Sequence, residues 1–239
     1  MHRFFIDKDC ITGNSVLLPP EVSVQILKVL RMRVGDKLIV LDGLGWEYHV
    51  KLIEIHQNNC IGTITTVCRG EGEPSLSVTM FQSLIKYDKF EWALQKGVEI
   101  GVTRFVPIVP DRLEVSIPSE TRVIRWTKII KEASEQSHRS IIPKLLKTMK
   151  FEDAVTDCYG TGLILNENEK TNYKRIIRSG LLNQVSVFVG PVGGFTEKEI
   201  KYAVDHSVKS VSLGYRILRS ETAGLVAVSN LMYESGNIG

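Results

Sequence analysis

Val185-Ser186-Val187-Phe188-Val189-Gly190-Pro191-Val192-Gly193-Gly194-Phe195-Thr196-Glu197-Lys198-Glu199 is the stretch whose reading decides the fold. The apolar run Val185 to Val189 predicts a strand buried on both faces. Thr196-x-x-Glu199 has the spacing of a capping box, so a helix opens there. Between them, Gly193 or Gly194 supplies the positive φ that a tight strand-to-helix turn needs. One helix and one shorter strand later (Val208 to Leu213), the chain repeats the arrangement with Leu213-Gly214-Tyr215-Arg216-Ile217-Leu218-Arg219-Ser220-Glu221-Thr222-Ala223. Ser220 is expected as the N-cap of the last helix. Two backbone-rich loops at neighbouring carboxyl ends of strands mark the edge where an open α/β sheet holds small molecules.

Working back from this stretch, strands alternate with helices as far as Leu76. The series is Leu76 to Ser83, a helix from Tyr87 to Ile100, Arg104 to Val109, a helix from Glu120 to His138, Gly162 to Asn166, and a helix around Tyr173 to Arg178. Such alternation implies a mainly parallel sheet covered on both faces. Gly97 sits inside a helix at a cost of about 1 kcal/mol relative to Ala. It shares a face with Phe90, Leu94 and Gly101, so close approach of a neighbouring element is the expected reason.

The pattern differs before the polar linker Arg69-Gly70-Glu71-Gly72-Glu73-Pro74-Ser75. His2 to Asp7, Ser15 to Leu18, Lys37 to Leu41, Trp46 to His56 and Cys60 to Cys68 read as strands, with turns at Asp42-Gly43-Leu44-Gly45 and Gln57-Asn58-Asn59. Trp46, Tyr48, Val50 and Leu52 alternate, whereas Ile53 and Ile55 fall in the other phase, which predicts a bulge near Leu52. Pro19-Pro20 starts one helix, ending near Met32, with Val22, Ile26, Val29 and Leu30 on its buried stripe. These strands with one helix suggest a small closed or half-closed barrel. Two domains are expected, residues 1–70 and 75–239.

Composition is that of an ordinary globular chain, and the start Met1-His2-Arg3-Phe4-Phe5 lacks a secretory pattern, so a soluble, cytoplasmic protein is expected. Cys10, Cys60, Cys68 and Cys158 include no C-x-x-C pair, and the histidines are scattered, so no metal is expected. The net charge of +3 is uninformative by itself. Lys28, Arg31, Arg33 and Lys37 form a basic cluster with little acidic compensation. Along Arg122 to Lys131 the basic residues are interleaved with glutamates, and both a solvated helix face and a nucleic-acid contact remain open.

The loop Gly190 to Thr196 is neither a dinucleotide-binding nor a P-loop signature, so a polyphosphate is disfavoured. Consecutive glycines expose amides and carbonyls that suit a flat heterocycle or an amino-acid moiety. In Glu132-Ala133-Ser134-Glu135-Gln136-Ser137-His138-Arg139, Gln136 is expected to face the interior or a partner surface. Gln82-Ser83-Leu84-Ile85-Lys86 ends the first sheet strand on the same side as the glycine loops.

These motifs, together with His2-Arg3-Phe4-Phe5 and Gln95-Lys96-Gly97-Val98-Glu99-Ile100-Gly101-Val102, resemble in order the small-subunit ribosomal RNA methyltransferases that modify ring nitrogen 3 of a uridine, of the SPOUT class. The resemblance covers essentially the whole chain. It implies a PUA-like β-barrel domain that binds RNA, followed by an α/β trefoil-knot domain with a parallel sheet, acting as a homodimer on small-subunit ribosomal RNA or the assembled subunit. Periodicity could not reveal a knot. The resemblance further implies S-adenosylmethionine held by Leu165, Asn166, Gly190, Pro191, Gly193, Gly194, Leu213, Gly214, Arg216, Ile217 and Leu218. Candidate catalytic residues are Arg139 and Arg219, to stabilise charge on the base, with Glu135 and Glu221 as proton acceptors or packing groups. Arg3, Lys28, Arg31, Arg33 and Lys86 are the RNA-contact candidates. Val192 stands where the family commonly has Glu, Tyr215 where Pro is usual and Ser220 where Thr is usual. A non-catalytic RNA-binding or ribosome-assembly protein is the alternative.

Overall fold

A computed structural model describes residues 1–56, 59–111, 117–171, 173–177 and 183–239. The turn expected at Gln57-Asn58 and the helix end expected at Arg178 lie outside them. The chain divides into two compact units, one formed by Met1–Glu73 and Ser134–Ile142, the other by Pro74–Ala133 and Pro143–Gly239. Among the described residues, no helix is long and apolar enough to cross a membrane.

In the first unit, β1 (Arg3–Phe5), β2 (Ile11–Thr12), β3 (Ser15–Leu18), β4 (Lys37–Leu41), β5 (Trp46–Ile55) and β6 (Cys60–Arg69) form one sheet in the order β1-β4-β5-β6-β3-β2. Among the described residues of this unit, only β1–β4 is a parallel pair. The sheet curls into a half-barrel around Phe4, Val16, Leu18, Ile26, Leu38, Val40, Val50 and Leu52. Register shifts in the β5–β6 ladder fall between His49 and Val50 and between Leu52 and Glu54. The second is the expected bulge, and it carries Ile53 to the exposed face.

The helix after Pro19 departs from the expected pattern. Helix α1 (Pro20–Val24) passes directly into a π turn, Gln25–Val29. Leu30 N–H donates to Gln25 O at 3.0 Å, five residues back. The wider turn advances the phase, so Val22 and Ile26 are buried while Val29 is 70% exposed rather than on the buried stripe. Arg31, at φ 53°, closes the segment.

The second unit contains β7 (Ser77–Ser83), α2 (Tyr87–Glu99), β8 (Arg104–Val109), β9 (Lys144–Leu145), β10 (Met149–Lys150), α4 (Phe151–Thr156), β11 (Thr161–Leu165), α5 (Tyr173–Ile177), β12 (Gln184–Val189), α6 (Glu197–Asp205), β13 (Lys209–Val211) and α7 (Ser220–Glu234), with α3 (Glu120–Gln136) between β8 and β9. Every strand pair is parallel, along the path β10-β8-β7-β12-β11-β13, with β9 beside β8. Helices α4 and α6 cover one face over Phe81, Val106, Ile108, Phe151, Ile164 and Phe188, with Phe81 and Phe188 stacked at 4.4 Å. Helix α7 covers the other and packs on α2, β7 and β12. Gly224 allows it to approach closely, since a Cβ there would stand 3.0 Å from a Val189 methyl.

Gly97 has the packing role expected of it. A Cβ on Gly97 would fall 2.7 Å and 2.8 Å from ring atoms of the buried Phe105. Gly97→Ala is therefore expected to destabilise the protein by about 1–2 kcal/mol, overpacking outweighing the gain in helix propensity of about 1 kcal/mol. Chemical denaturation measures this, and an increase in stability would contradict the packing argument. The basic run on α3 resolves toward an ion-paired helix face. Arg122 and Arg125 both bind Glu91, at 3.0 and 2.8 Å, and Arg122 lies over the Tyr87 ring. These guanidinium hydrogen bonds, led by that of Arg125, outweigh burial and hold the Glu91 carboxyl below its ordinary pKa.

Helix α3 ends where His138 takes φ 63° and Arg139 N–H donates to Ser134 O at 2.9 Å, a six-residue closure typical of helix C-termini. Gln136 is exposed and does not face the interior, whereas Ser134, two residues earlier, is fully buried.

Candidate active site

The two glycine loops emerge at the carboxyl edge of the parallel sheet, but from strands with one strand between them rather than from neighbouring strand ends as expected. The first leaves β12, the second leaves β13, and β11 lies between those strands, ending at Leu165-Asn166. Val187, Val189 and Phe188 are buried on both faces of β12, so the strand is a fixed platform, and its chain turns only where glycine permits. Gly193 and Gly194 take φ of 98° and 74°, and Gly214 takes 114°. Gly194 N–H donates to Pro191 O at 3.1 Å to close the first turn. The capping box is complete: Glu199 N–H donates to Thr196 Oγ1 at 3.1 Å and Thr196 N–H to Glu199 Oε2 at 2.7 Å. Glu199 Oε1 also accepts from Asp111 N–H, which anchors the helix start to the segment after β8.

One hydroxyl joins the two loops. Ser220 Oγ donates to Gly190 O at 2.5 Å and accepts from Gln82 Nε2 at 2.9 Å. Beside it, Ser83 Oγ donates to Val189 O at 2.7 Å. Ser220 is thus the first residue of α7 and not its N-cap. Arg219 occupies the cap position without a side-chain hydrogen bond, because the serine hydroxyl is committed across the sheet edge. Ser220→Ala leaves the buried Gln82 amide and the Gly190 carbonyl short of a partner. We expect it to cost about 1–3 kcal/mol of stability and to loosen the Gly190 loop, read as a lower melting temperature and weaker ligand binding; Ser220→Thr should restore both.

Further polar anchors hold the second loop. Gly214 N–H donates to Ser212 Oγ at 3.2 Å, and Ser212 N–H to Thr171 O at 3.0 Å. Tyr173 donates its N–H to Ser212 O at 3.1 Å and its hydroxyl to Ala227 O at 2.7 Å, tying loop to helix α7. Burial pushes the Tyr173 hydroxyl pKa far up, so it stays a neutral donor. Asn166 N–H donates to Val211 O at 2.9 Å, its side-chain amide to Ser210 Oγ at 3.2 Å. Sequence reasoning missed Tyr173 and Ser212. Both are polar groups among apolar neighbours beside a strand end, which is the only signal they carry.

Would this edge suit an adenosyl amino acid? A Cβ built on Gly193, Gly194 or Gly214 meets no atom within 4 Å, so the loop backbones face open space. The lining combines main-chain groups with Leu213 and Leu218, both half-buried, and Ile217, 78% exposed. The amide oxygen of Gln82 is buried, has no partner among the described residues, and can accept a further N–H. These features fit a flat heterocycle with an amino-acid tail. A separate cleft of about 200 Å³, lined by Asp111, Glu152, Lys198, Glu199, Lys201, Tyr202 and Asp205, contains none of the loop residues.

The remaining candidates divide between the two units. In the second unit, Arg216 and Arg219 are exposed, as is Lys86 at the start of α2. Glu221, 9% exposed, binds Lys89 at 2.9 Å. Burial works to raise its pKa, but the Lys89 hydrogen bond, its own backbone N–H and the charges of Lys89 and Arg219 outweigh burial and hold the carboxyl below its ordinary value. In the first unit, Arg139 is 3% exposed and binds Glu73 at 2.8 Å, while that carboxylate also accepts from Ser140 and Ile141 N–H. Glu135 accepts Phe5 N–H at 2.9 Å. Arg3 turns inward onto Glu47, whereas Lys28, Arg31 and Arg33 are exposed around the π turn. Val192 is 84% exposed and offers no carboxylate.

Comparison with known proteins agrees with this architecture. A model of the RNA methyltransferase domain matches residues 72–232, and a model of the RNA methyltransferase PUA domain matches residues 26–65. The chain is 29% identical over 252 residues to Ribosomal RNA small subunit methyltransferase E of Bacillus subtilis, covering 98% of this chain and 97% of that one. It is 30% identical over 237 residues to the protein of that name from Synechocystis, covering 96% and 77%. Its fold superposes on a crystal structure of Ribosomal RNA small subunit methyltransferase E from Neisseria gonorrhoeae bound to S-adenosyl methionine, with TM-score 0.89 and 32% identity over 98% and 97% of the chains. The half-barrel and the parallel sheet are thus a PUA-like domain and a SPOUT-type domain, and the chain belongs to the RNA methyltransferase family, among the ribosomal RNA small subunit methyltransferase E proteins.

Proposed function

We propose that this chain is an S-adenosylmethionine-dependent methyltransferase acting in the cytoplasm on ring nitrogen 3 of a uridine in small-subunit ribosomal RNA. The observation that carries this reading is the pair of glycine loops pinned together through Ser220 and Gly190 at the carboxyl edge of the sheet. Leu165, Asn166, Gly190, Pro191, Gly193, Gly194, Leu213, Gly214, Arg216, Ile217 and Leu218 are the residues we assign to the cofactor. When bound, that cofactor supplies a methyl group on a positively charged sulfur.

The chain's own contribution is positional and electrostatic. As a uracil loses its N3 proton, negative charge spreads to the ring carbonyl oxygens, and a guanidinium aimed at them lowers the barrier. Arg219, exposed at the start of α7, has that role in our account. Glu221 keeps Lys89 and the first turn of α7 in place. Arg139, committed to Glu73, and Glu135, committed to Phe5 N–H, are assigned to holding the first unit together. Lys28, Arg31 and Arg33 on the first unit, and Lys86 on the second, are the proposed phosphate contacts. The target base must be unstacked or single-stranded to enter such a pocket.

A homodimer is part of the same proposal. Val192, Tyr215 and Ile217 present three large apolar side chains to solvent from the two loops, Tyr215 fully so. Transfer of labelled methyl from S-adenosylmethionine to small-subunit ribosomal RNA, free or assembled, tests the reading. Salt-sensitive RNA binding without transfer would favour a non-catalytic assembly protein instead.

A further inference from the structure

On the first unit, cross-strand pairing brings together three side chains whose types and spacing suit a metal ion. Glu47 and His49 lie two residues apart on β5, so both emerge on one face of the sheet. The register sets Cys68 of β6 directly opposite Glu47. One ligand atom from each, a carboxylate oxygen, an imidazole nitrogen and the thiol sulfur, lies within 4.8 Å of the others. His49 Nε2 is 3.7 Å from Cys68 Sγ. A tetrahedral zinc ion with nitrogen at ~2.0 Å and sulfur at ~2.3 Å requires these two ligand atoms about 3.5 Å apart. The pair therefore stands near the required separation without rearrangement.

We propose that Glu47, His49 and Cys68 form a site for a thiophilic divalent cation of the zinc class. The mixed set of oxygen, nitrogen and sulfur donors disfavours magnesium and calcium, which take oxygen ligands. Glu47 is buried, and His49 and Cys68 are half-buried, so an ion has a route from solvent. The ion coordinates the Cys68 thiolate, and the thiol proton goes to solvent. Arg3 already binds Glu47 through Oε1, so the carboxylate is shared, one oxygen for the guanidinium and the other for the ion. Three protein ligands leave the fourth position to water. The site clamps β5 to β6 within the PUA-like unit and is independent of the methyl-transfer reading. Scattered sequence positions conceal it, because only the strand register makes Cys68 a neighbour of His49.

Cobalt(II) titrated into the full-length protein and followed by visible and near-ultraviolet absorption tests the site. One equivalent should give a thiolate-to-cobalt band and tetrahedral d–d bands, both removed by zinc. Cys68→Ser should abolish the thiolate band, and His49→Gln should weaken binding by at least roughly tenfold. Cys10→Ser, at another half-buried thiol near carboxylates, should change nothing. Zinc should also raise the melting temperature of the wild type and of Cys10→Ser, but not of Cys68→Ser. Absence of the bands in the wild type, or a thiolate band that survives Cys68→Ser, overturns the proposal. If His49→Gln does not fold, the comparison of Cys68→Ser with Cys10→Ser still decides it.

Discussion

Gly194→Val abolishes S-adenosylmethionine binding in isothermal titration, a loss of at least about 100-fold, while the protein remains folded. The glycine sits at φ 74°. An ordinary residue there costs about 1–2 kcal/mol, and a β-branched one more, because Cβ crowds the carbonyl oxygen. The loop can relieve this only by abandoning the turn closed by Gly194 N–H on Pro191 O. Relaxation would also disturb Gly190, whose carbonyl is held by Ser220. If the turn does persist, the branched side chain projects into the open space before the loop, where a Cβ meets no protein atom within 4 Å. Either outcome removes the cradle. A 100-fold loss corresponds to about 2.7 kcal/mol, the scale of that strain plus the steric conflict. Because the space is open, the core is untouched and circular dichroism should match the wild type. Unchanged affinity would take the pocket away from this loop.

Arg219→Ala lowers methyl transfer by about 10²–10³-fold while leaving S-adenosylmethionine affinity near that of the wild type. The magnitude is that of removing one preorganised donor from developing negative charge. Arg219 is suited to this test because its side chain caps nothing and is exposed, so its removal should not unfold α7. Arg139→Ala provides the contrast. That guanidinium is 3% exposed and binds a Glu73 carboxylate which also accepts two backbone N–H groups. Its loss should therefore lower the melting temperature first, with activity falling as folded protein is lost. Separate measurement of kcat, KM and thermal stability distinguishes the two arginines. Wild-type turnover in Arg219→Ala would remove it from the chemistry.

Much of the fold was legible because the same signals recur at several levels. The apolar run Val185 to Val189, the capping box at Thr196 and the paired glycines all predict one strand, one turn and one helix, and the structure contains all three. The half-barrel follows from period-two alternation, including the bulge where the phase of β5 changes. Other features depend on contacts far apart in sequence. The π turn at Gln25–Val29 adds one residue to a helical repeat that the pattern treats as uniform, and so moves Val29 from core to solvent. Ser220 had the chemistry of an N-cap, but a carbonyl thirty residues earlier competes for its hydroxyl. Arg139 had the position of a helix C-terminal cation, yet its partner is Glu73, in the linker. Local spacing identifies which groups need partners, whereas the sheet order decides which partners they meet.

Crystallisation of the protein with S-adenosylmethionine tests the central claim most directly. The account predicts the ligand at the carboxyl edge of the parallel sheet, held by main-chain groups of both the Gly190–Gly194 and the Leu213–Leu218 loops. A ligand bound in the charged cleft beside Asp111 and Tyr202, or one touching neither glycine loop, would contradict it.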